Sequence, residues 1–281
     1  MGATYQAGRQ AIGVGVLTIG IMVGVGLMHS YLAFASVTRL HSDENSSLEV
    51  VTLDQYAEVQ IPSIVYHSVR PYRKQSALQD EFDITPELLE SQIVYLKDHG
   101  YTPITYRALA RFLDEGVPLP PKPVLLSFDD GWGNQYLYAY PILKKYSVSA
   151  TFFVYTNAIN KDKWMTWDQL RAMQAGGMEI AAHTKTHPLL TKEDDLKRLR
   201  HEIAGSKTDL DEEMGTTTVS FAYPFGAYNA TTTRVVEEAG FRIGRGLNTG
   251  KEVSRTDRFE VPGELANDLF KRFVEALGEG K

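Results

Sequence analysis

Two adjacent carboxylates, Asp129 and Asp130, stand where the sequence could support acid–base or metal chemistry. They follow the apolar run Lys122–Leu126, which predicts a buried strand, and Gly131 then allows the chain to turn away. Side chains alternate along a strand, so neighbouring aspartates would point in different directions within it. At the strand end a turn can bring both carboxylates to one cavity, where one binds a metal and the other handles protons. The alternative is an ordinary turn, because Asp-Asp-Gly is common in loops.

A second pair of potential ligands is formed by His183 and His187. They follow the run Met178–Ala182, which predicts another strand. Two histidines four residues apart at a strand end can place both imidazoles near one point. A lone histidine is more often a satisfied core or surface residue, but two histidines and an aspartate pair form a mixed nitrogen and oxygen donor set. Such a set suits Zn and other divalent transition metals.

Three motifs resemble those of the polysaccharide deacetylase family, with its NodB-type domain, which is also carbohydrate esterase family 4. They are SFDDG at 127–131, HTKTH at 183–187 and FAYPFG at 221–226, in the family's order and spacing. The similarity runs from about Ile61 to Pro262. The motif Tyr66-His67-Ser68-Val69 at its beginning resembles the branch that deacetylates poly-N-acetylglucosamine. This resemblance implies a distorted, incomplete (β/α) barrel and removal of acetyl groups from a glycan.

The resemblance also implies the roles of individual residues. Asp130, His183 and His187 correspond to the ligands of a divalent metal, for which Zn is favoured, with Co, Ni and Fe as alternatives. A bound metal lowers the pKa of its water towards about 7 and polarises the acetyl carbonyl. Asp129 corresponds to the general base, and the backbone N–H of Phe225 to the donor for the oxyanion.

A general acid is needed as well, because an amine leaves poorly unless it is protonated. In much of the family this acid is a histidine near the C-terminus, but no histidine follows His201, which we expect on a solvated helix surface. In the poly-N-acetylglucosamine branch the equivalent motif lies at the start of the domain, as if circularly permuted. The resemblance therefore implies that His67 is the acid. The alternative is a structural histidine at a strand end.

Two positions depart from the family pattern. Ala222 stands where many relatives have an arginine in the third motif, and Gly263 stands where an arginine follows the proline of the last strand in this branch. The group that orients Asp129 is therefore open, and reduced activity is compatible with this departure. The candidates that the sequence offers for this role are Arg255, Arg258 and Asp168.

Aromatic residues near the predicted strand ends could contact the glycan. Trp132, Trp167 and Tyr223 are candidates for walls of an acetyl pocket or for stacking on sugar rings. The alternative is that they belong to the core, where aromatic residues near strand ends are more often found.

The elements that must position these groups alternate between strand and helix about seven times. This alternation predicts an α/β fold with a parallel sheet, most simply closed into a barrel. Together with the family resemblance, it leads us to expect a distorted (β/α)7-type barrel, preceded by an N-terminal hydrophobic helix. Thr191 is expected to open a long charged helix through Met214, and Glu264–Leu277 is expected to form a closing helix. In such barrels catalysis takes place at the C-terminal strand ends, where the candidate residues lie.

Length and composition limit the possible classes of protein. A chain of 281 residues with ordinary apolar content supports one domain of about 200–250 residues in addition to a terminal segment. The net charge of −6 argues against a nucleic-acid-binding surface. The sequence contains no cysteine, so disulfides are excluded and the stability must come from the core.

The N-terminal region contains an uncharged apolar run from Ala11 to Met28. A run of about 18 apolar residues is adequate for a membrane span and long for a signal-peptide core. We therefore expect a membrane anchor, with a cleaved signal ending near Ala35 as the alternative, and export of the remainder in either case. The expected division is a signal-anchor or signal peptide at 1–36, a linker at 37–59 and the deacetylase domain at 60–281.

Three functions are compatible with the sequence. The first is metal-dependent removal of N-acetyl groups from an extracytoplasmic polymer, with poly-N-acetylglucosamine favoured over chitin-like glycans and peptidoglycan. The second is O-acetyl ester hydrolysis on a polysaccharide such as xylan, since an alkoxide leaves more easily than an amine and depends less on an acid. The third is an inactive, membrane-tethered glycan-binding relative, which only Gly263 supports.

Overall fold

The computed structural model describes residues 58–71, 82–265 and 270–279. The predicted N-terminal hydrophobic helix and most of the predicted linker fall outside these residues, so the proposed division of the chain stays a prediction. Within the described residues, no helix combines the length and the apolar character that crossing a membrane requires.

The described residues form twelve short strands, most of them in one parallel sheet. In chain order the strands are β1 Glu58–Gln60, β2 Ser63–Tyr66, β3 Ser68–Val69, β4 Asp83–Ile84, β5 Thr102–Ile104, β6 Pro123–Phe128, β7 Thr151–Val154, β8 Glu179–Ala182, β9 Ser220–Ala222, β10 Ile243–Arg245, β11 Glu252–Ser254 and β12 Glu264–Leu265. The main sheet has the order β10-β9-β8-β7-β6-β2-β12, and β5 pairs with the first half of β6. The predicted parallel α/β sheet is thus confirmed.

Helices connect most of the strands of this sheet, as the alternation predicts. They are α1 Pro86–Asp98, α2 Tyr106–Glu115, α3 Tyr140–Lys145, α4 Trp167–Ala175, α5 Leu196–Met214, α6 Ala230–Glu238 and α7 Phe270–Ala276. Short polar side chains cap several helix starts, where backbone N–H groups have no partner inside the helix. Thr85, Thr105, Thr166 and Asn229 each accept a hydrogen bond from a backbone N–H in the first turn.

Two boundaries differ from the prediction. The long charged helix begins at Leu196 rather than at Thr191, because the side chain of Asp195 accepts from the backbone N–H of Lys197 and caps it there. The expected closing helix does not begin at Glu264, since residues 264–265 form strand β12, and among the described residues this helix covers Phe270–Ala276. Strand β12 is extended because it pairs with β2, and this tertiary contact overrides the local helical pattern.

One segment near the end of the chain connects the two edges of the sheet. Val261 forms a one-residue parallel bridge with Arg245 of β10, and Glu264 and Leu265 pair with Ile64 and Val65 of β2. The sheet therefore curls until its outer strands approach the same short segment. The predicted distorted barrel takes the form of a curled sheet whose two sides meet at the segment Val261–Leu265, which we call the seam.

The core divides according to the alternation of side chains along the strands. On the outer face, Val124, Leu126 and Phe128 of β6 pack in a large cluster with the helices. A smaller cluster on the inner face includes Leu125, Phe153, Ala181, Ala222 and Ile243, one residue from each of five neighbouring strands. Helix α2 belongs to this inner cluster and covers one end of it. Side chains at every second strand position, on the same face as these five residues, are consequently directed into the interior of the curled sheet.

Candidate metal and catalytic centre

Four polar side chains that face the interior of the curled sheet come together at its C-terminal end. His67, Asp129 and His183 follow β2, β6 and β8 at inner-face positions, and Arg245 is the last residue of β10. Asp129, His183 and Arg245 are almost completely buried, with exposed fractions of 1%, 2% and 0%. Such burial of charged groups requires that they be paired.

The three predicted metal ligands form one group. Oδ1 of Asp130 lies 3.7 Å from Nε2 of His183 and 3.4 Å from Nε2 of His187, and one ligand atom from each residue lies within 4.8 Å of the others. Ligand atoms held about 2.0–2.2 Å from a tetrahedral ion are about 3.3–3.6 Å apart. The two separations from Asp130 are close to this spacing, so the three residues could hold a small divalent ion.

The hydrogen bonding of His183 prepares this residue to be a ligand. Its Nδ1 lies 2.8 Å from the carbonyl oxygen of Ala222, so Nδ1 carries the proton and the lone pair of Nε2 faces Asp130. Burial lowers the pKa of His183 to about 4, which keeps the imidazole neutral at neutral pH. A neutral imidazole held in this tautomer is what a metal ion binds.

Asp130 and His187 are held by local contacts at unusual backbone angles. The indole N–H of Trp132 donates to Oδ2 of Asp130 at 3.0 Å, and the backbone N–H of His187 donates to Oγ1 of Thr184. Asp130, Thr184, His187 and Phe225 all have positive φ values, between 60° and 74°. Left-handed non-glycine residues cost free energy and cluster at functional sites, so the fold is constrained here.

Asp129 contacts an arginine that sequence reasoning missed. Nη2 of Arg245 lies 2.5 Å from both carboxylate oxygens of Asp129. Burial alone raises the pKa of the Asp129 carboxyl, but the charges that face it, Arg245 above all, hold this pKa below its ordinary value. Asp129 is therefore ionised in the folded protein.

The three candidates expected to orient Asp129 lie elsewhere. Arg258 pairs with Asp114, Asp168 pairs with Arg171, and no hydrogen bond or ion pair joins Arg255 to Asp129 within the described residues. A signal for Arg245 is present in the sequence, since this charged residue directly follows Ile243 and Gly244. That the side chain of Arg245 faces the interior of the sheet became clear only from the register of β10 against β9.

His67 faces the same carboxylate as Arg245. Its Nε2 lies 3.8 Å from Oδ2 of Asp129, and its ring contacts the edge of Phe82. The side-chain amide of Gln135 donates to the backbone carbonyls of both His67 and Asp129, at 2.8 Å and 2.5 Å. Gln135 thus fixes the spacing between the predicted acid and the predicted base.

These groups lie in a cleft with a volume of about 1260 Å³. Its rim is largely apolar, and Leu137 and Phe225 are both 62% exposed there. Phe225 places its ring 4.8 Å from that of His187. The predicted residues Asp129, Asp130, His67, His183, His187, Trp132 and Phe225 all line this cleft.

Two of the three predicted sugar-contacting aromatics are located away from the cleft. Tyr223 is completely buried between Phe221 and Tyr228, and Trp167 packs against the outer core cluster. Trp132 lines the cleft and stacks on Trp164, with ring centroids 4.6 Å apart. Trp164 was missed because it lies in a loop and meets Trp132 only through a tertiary bridge.

Comparison with known proteins decides the family. The profile of the family described as Polysaccharide deacetylase matches residues 116–244. The chain is 30% identical over 222 residues to YxkH of Bacillus subtilis, which carries the name of a polysaccharide deacetylase, and the match covers 77% of each chain. This chain belongs to the polysaccharide deacetylase family. It is accordingly a hydrolase that deacetylates polysaccharide.

Other members of the polysaccharide deacetylase family support the assignment. A poly-beta-1,6-N-acetyl-D-glucosamine N-deacetylase of Staphylococcus aureus is 26% identical over 244 residues, covering 79% of this chain and 84% of the relative. The structure of the deacetylase PplD from Streptococcus pyogenes, in complex with acetate, matches 78% of this chain and 98% of its own at a TM-score of 0.70 and 27% identity. IcaB from Ammonifex degensii matches 78% and 96% at a TM-score of 0.68 and 25% identity.

Proposed function

We propose that this deacetylase removes N-acetyl groups from an N-acetylglucosamine polymer outside the cytoplasm, with a divalent ion, preferably Zn, held by Asp130, His183 and His187. Poly-N-acetylglucosamine is the favoured substrate. The observation that carries the proposal is that one cleft contains these three potential ligands, the buried carboxylate of Asp129 and the imidazole of His67. The similarity to the Staphylococcus aureus enzyme supports the choice of polymer.

The protein and the ion divide the chemistry of amide hydrolysis. When bound, the ion supplies Lewis acidity, which activates a water and polarises the acetyl carbonyl. Asp129 takes the proton of the attacking water, whose oxygen forms a bond to the acetyl carbon. The backbone N–H of Phe225 stabilises the negative charge on the former carbonyl oxygen. Preorganised groups of this kind act strongly in a partly enclosed site.

His67 completes the reaction. It donates a proton to the amide nitrogen as the bond between carbon and nitrogen breaks, and the products are acetate and a free amine on the sugar. The 3.8 Å distance between Nε2 of His67 and Oδ2 of Asp129 lets both groups reach one substrate amide. A base and an acid that can both reach the same amide are what this step needs.

The cleft offers apolar surface for a glycan. Trp132 and Trp164 form a stacked aromatic pair, and Leu137 is exposed on the rim. Sugar rings have apolar faces that pack on such side chains, while the polar centre receives the acetyl group. We include Trp132 and Trp164 in the proposed substrate site, and we omit Trp167 and Tyr223.

The N-terminal sequence supports a location outside the cytoplasm. The apolar run at 11–28 would act as a signal or anchor in the segment 1–36, a linker would follow at 37–59, and the catalytic domain would occupy 60–281. Membrane attachment through this run and contact with an N-acetylated polysaccharide are the partnerships proposed, and we propose no nucleic-acid partner.

The test is acetate release from purified protein. Poly-N-acetylglucosamine, chitin oligomers and peptidoglycan are supplied with and without Zn, and metal content is measured in parallel. We expect metal-dependent release that is greatest on poly-N-acetylglucosamine and is abolished in Asp129→Asn. Asp168→Asn is the matched control, because this exposed carboxylate pairs with Arg171 and does not line the cleft. Absence of metal-dependent release from all three polymers would refute the proposal.

A further inference from the structure

We propose that Arg245 is the positioning residue for Asp129, and that position 263 must be glycine because the side chain of Arg245 occupies the space beside it. This inference rests on the proposed function, since it supplies a partner for the proposed base.

The first observation is the contact itself. One nitrogen of the Arg245 guanidinium bonds to both oxygens of Asp129, and both side chains are almost completely buried. A carboxylate held through both oxygens is restrained in rotation about its last side-chain bond. The guanidinium lies 5.2 Å from the ring centre of Phe153, which limits its own movement. Arg245 therefore fixes the direction in which Asp129 presents its lone pairs to the cleft.

The second observation concerns Gly263. A Cβ atom added at this position would lie 2.8 Å from Cδ of Arg245, 2.7 Å from the carbonyl oxygen of Gly246 and 3.0 Å from Cγ2 of Val65. Real Cβ atoms essentially never approach other heavy atoms within 3.0 Å. Any side chain at 263 would therefore displace Arg245 or the backbone beside it.

The third observation is the position of Arg245 in the sheet. Its backbone pairs with Ala222 of β9 on one side and with Val261 at the seam on the other. Ala222 is small and lies on the same inner face, so it leaves lateral room for the long side chain. The seam segment that contains Gly263 thus packs directly on the arginine that holds the base. Two small residues and one buried arginine form a single steric unit.

The catalytic test compares Arg245→Met with Arg245→Lys. Met preserves much of the volume but removes the charge, whereas Lys preserves the charge. We expect kcat of Arg245→Met to fall about 100-fold, with KM within about threefold of the parent, because a misplaced group affects the chemical step. Arg245→Lys should recover part of kcat. Arg242→Met is the control, since Arg242 pairs with Asp114 and Glu115 outside the cleft. Equal kcat for the Met and Lys variants, or a parental kcat for Met, overturns the proposal.

Thermal unfolding gives a readout that does not depend on activity. Arg245→Met leaves the Asp129 carboxylate buried without its partner, which is strongly destabilising. We expect the double variant Arg245→Met with Asp129→Asn to melt above Arg245→Met alone. A double variant that melts lower, by the sum of the two single losses, would show that the residues are not coupled.

A second cycle tests the steric part of the proposal. Gly263→Ala should lower the melting temperature more in the parent chain than in the Arg245→Ala variant. The reason is that alanine at position 245 has no Cδ to collide with the new Cβ at position 263. Equal losses in the two backgrounds would overturn the assignment of Gly263. Failure of the proposed function can be told apart from failure of this inference. A parent chain that releases no acetate refutes the function, and the two sets of melting temperatures still decide whether Arg245 is coupled to Asp129 and Gly263. Acetate release with parental kcat in Arg245→Met leaves the function intact and refutes the inference.

Discussion

The indole of Trp132 and the carboxylate of Asp130 are joined by a hydrogen bond in which Nε1 donates to Oδ2 at 3.0 Å. The bond occupies the oxygen that faces away from the two imidazoles and leaves Oδ1, which lies 3.4 Å from His187, available to an ion. Trp132 is thereby both a wall of the cleft and a support for a proposed ligand.

Trp132→Phe should therefore weaken metal binding while retaining an aromatic ring. Loss of such a supporting hydrogen bond typically costs about 10–100-fold in metal affinity. Zn affinity measured by competition with a chromophoric chelator checks this. Trp167→Phe, at an aromatic residue outside the cleft, is expected to bind Zn as the parent does. Unchanged affinity in Trp132→Phe would mean that the bond does not support the site.

Zn should stabilise the fold through the three proposed ligands. An ion present at about 100 times its Kd adds about 2.7 kcal/mol to the free energy of unfolding. For a domain of this size each kcal/mol raises Tm by about 2–4 °C, so we expect a shift of about 5–10 °C. His187→Ala should show no shift in differential scanning calorimetry. His201→Ala, at an exposed histidine on α5, should shift as the parent does, and loss of the shift there would contradict the site.

Gln135 should be required for both stability and turnover. It is completely buried in the π-helical turn Gln135–Ala139, and its amide bonds to the carbonyls of His67 and Asp129. Gln135→Leu leaves these carbonyls without a donor, at a cost of about 1–3 kcal/mol in the free energy of unfolding.

We also expect kcat of Gln135→Leu to fall, because the spacing between base and acid is no longer fixed. Urea unfolding and acetate release measure the two effects. Gln174→Leu is the comparison, as its amide bonds to Met214 outside the cleft. A stable Gln135→Leu variant with parental turnover would show that the fold alone sets this spacing.

His67→Gln should affect amides more than esters. A positioned general acid contributes about 10²–10⁴-fold when the leaving group must be protonated, and an alkoxide needs this less than an amine. We expect a loss in that range on an N-acetylated glycan oligomer and a much smaller loss on an aryl acetate. His99→Gln, at an exposed residue stacked on Tyr95, serves as control. Equal losses on both substrates would argue that His67 has a structural role.

Local signals in the sequence account for much of the fold. The strands β6, β7 and β8 are apolar at most of their positions. The caps at Thr85, Thr105 and Thr166 satisfy groups within the same helical turn. Such features need no knowledge of distant residues. The motifs that contain the proposed metal ligands directly follow two of these strands, which explains why the grouping could be predicted.

The features that the sequence did not reveal depend on contacts between distant segments. Strand β12 exists because β2 accepts it, and Arg245 contacts Asp129 across 116 positions in the chain. Tyr223 is a different case, because alternation along β9 places it on the outer face with Phe221. Because Ala222 faces the interior, its neighbour Tyr223 must face outward, and this alternation alone would have removed Tyr223 from the candidates.

The seam formed by Val261–Leu265 has a consequence for biosynthesis. Strands β2 to β10 leave the ribosome before this segment does, so β2 and β10 lack their last neighbour in the nascent chain. Unpaired strand edges can associate with other chains. Pairing of Val261 with β10 and of Glu264 and Leu265 with β2 therefore covers two strand edges that would otherwise be open to association with other chains.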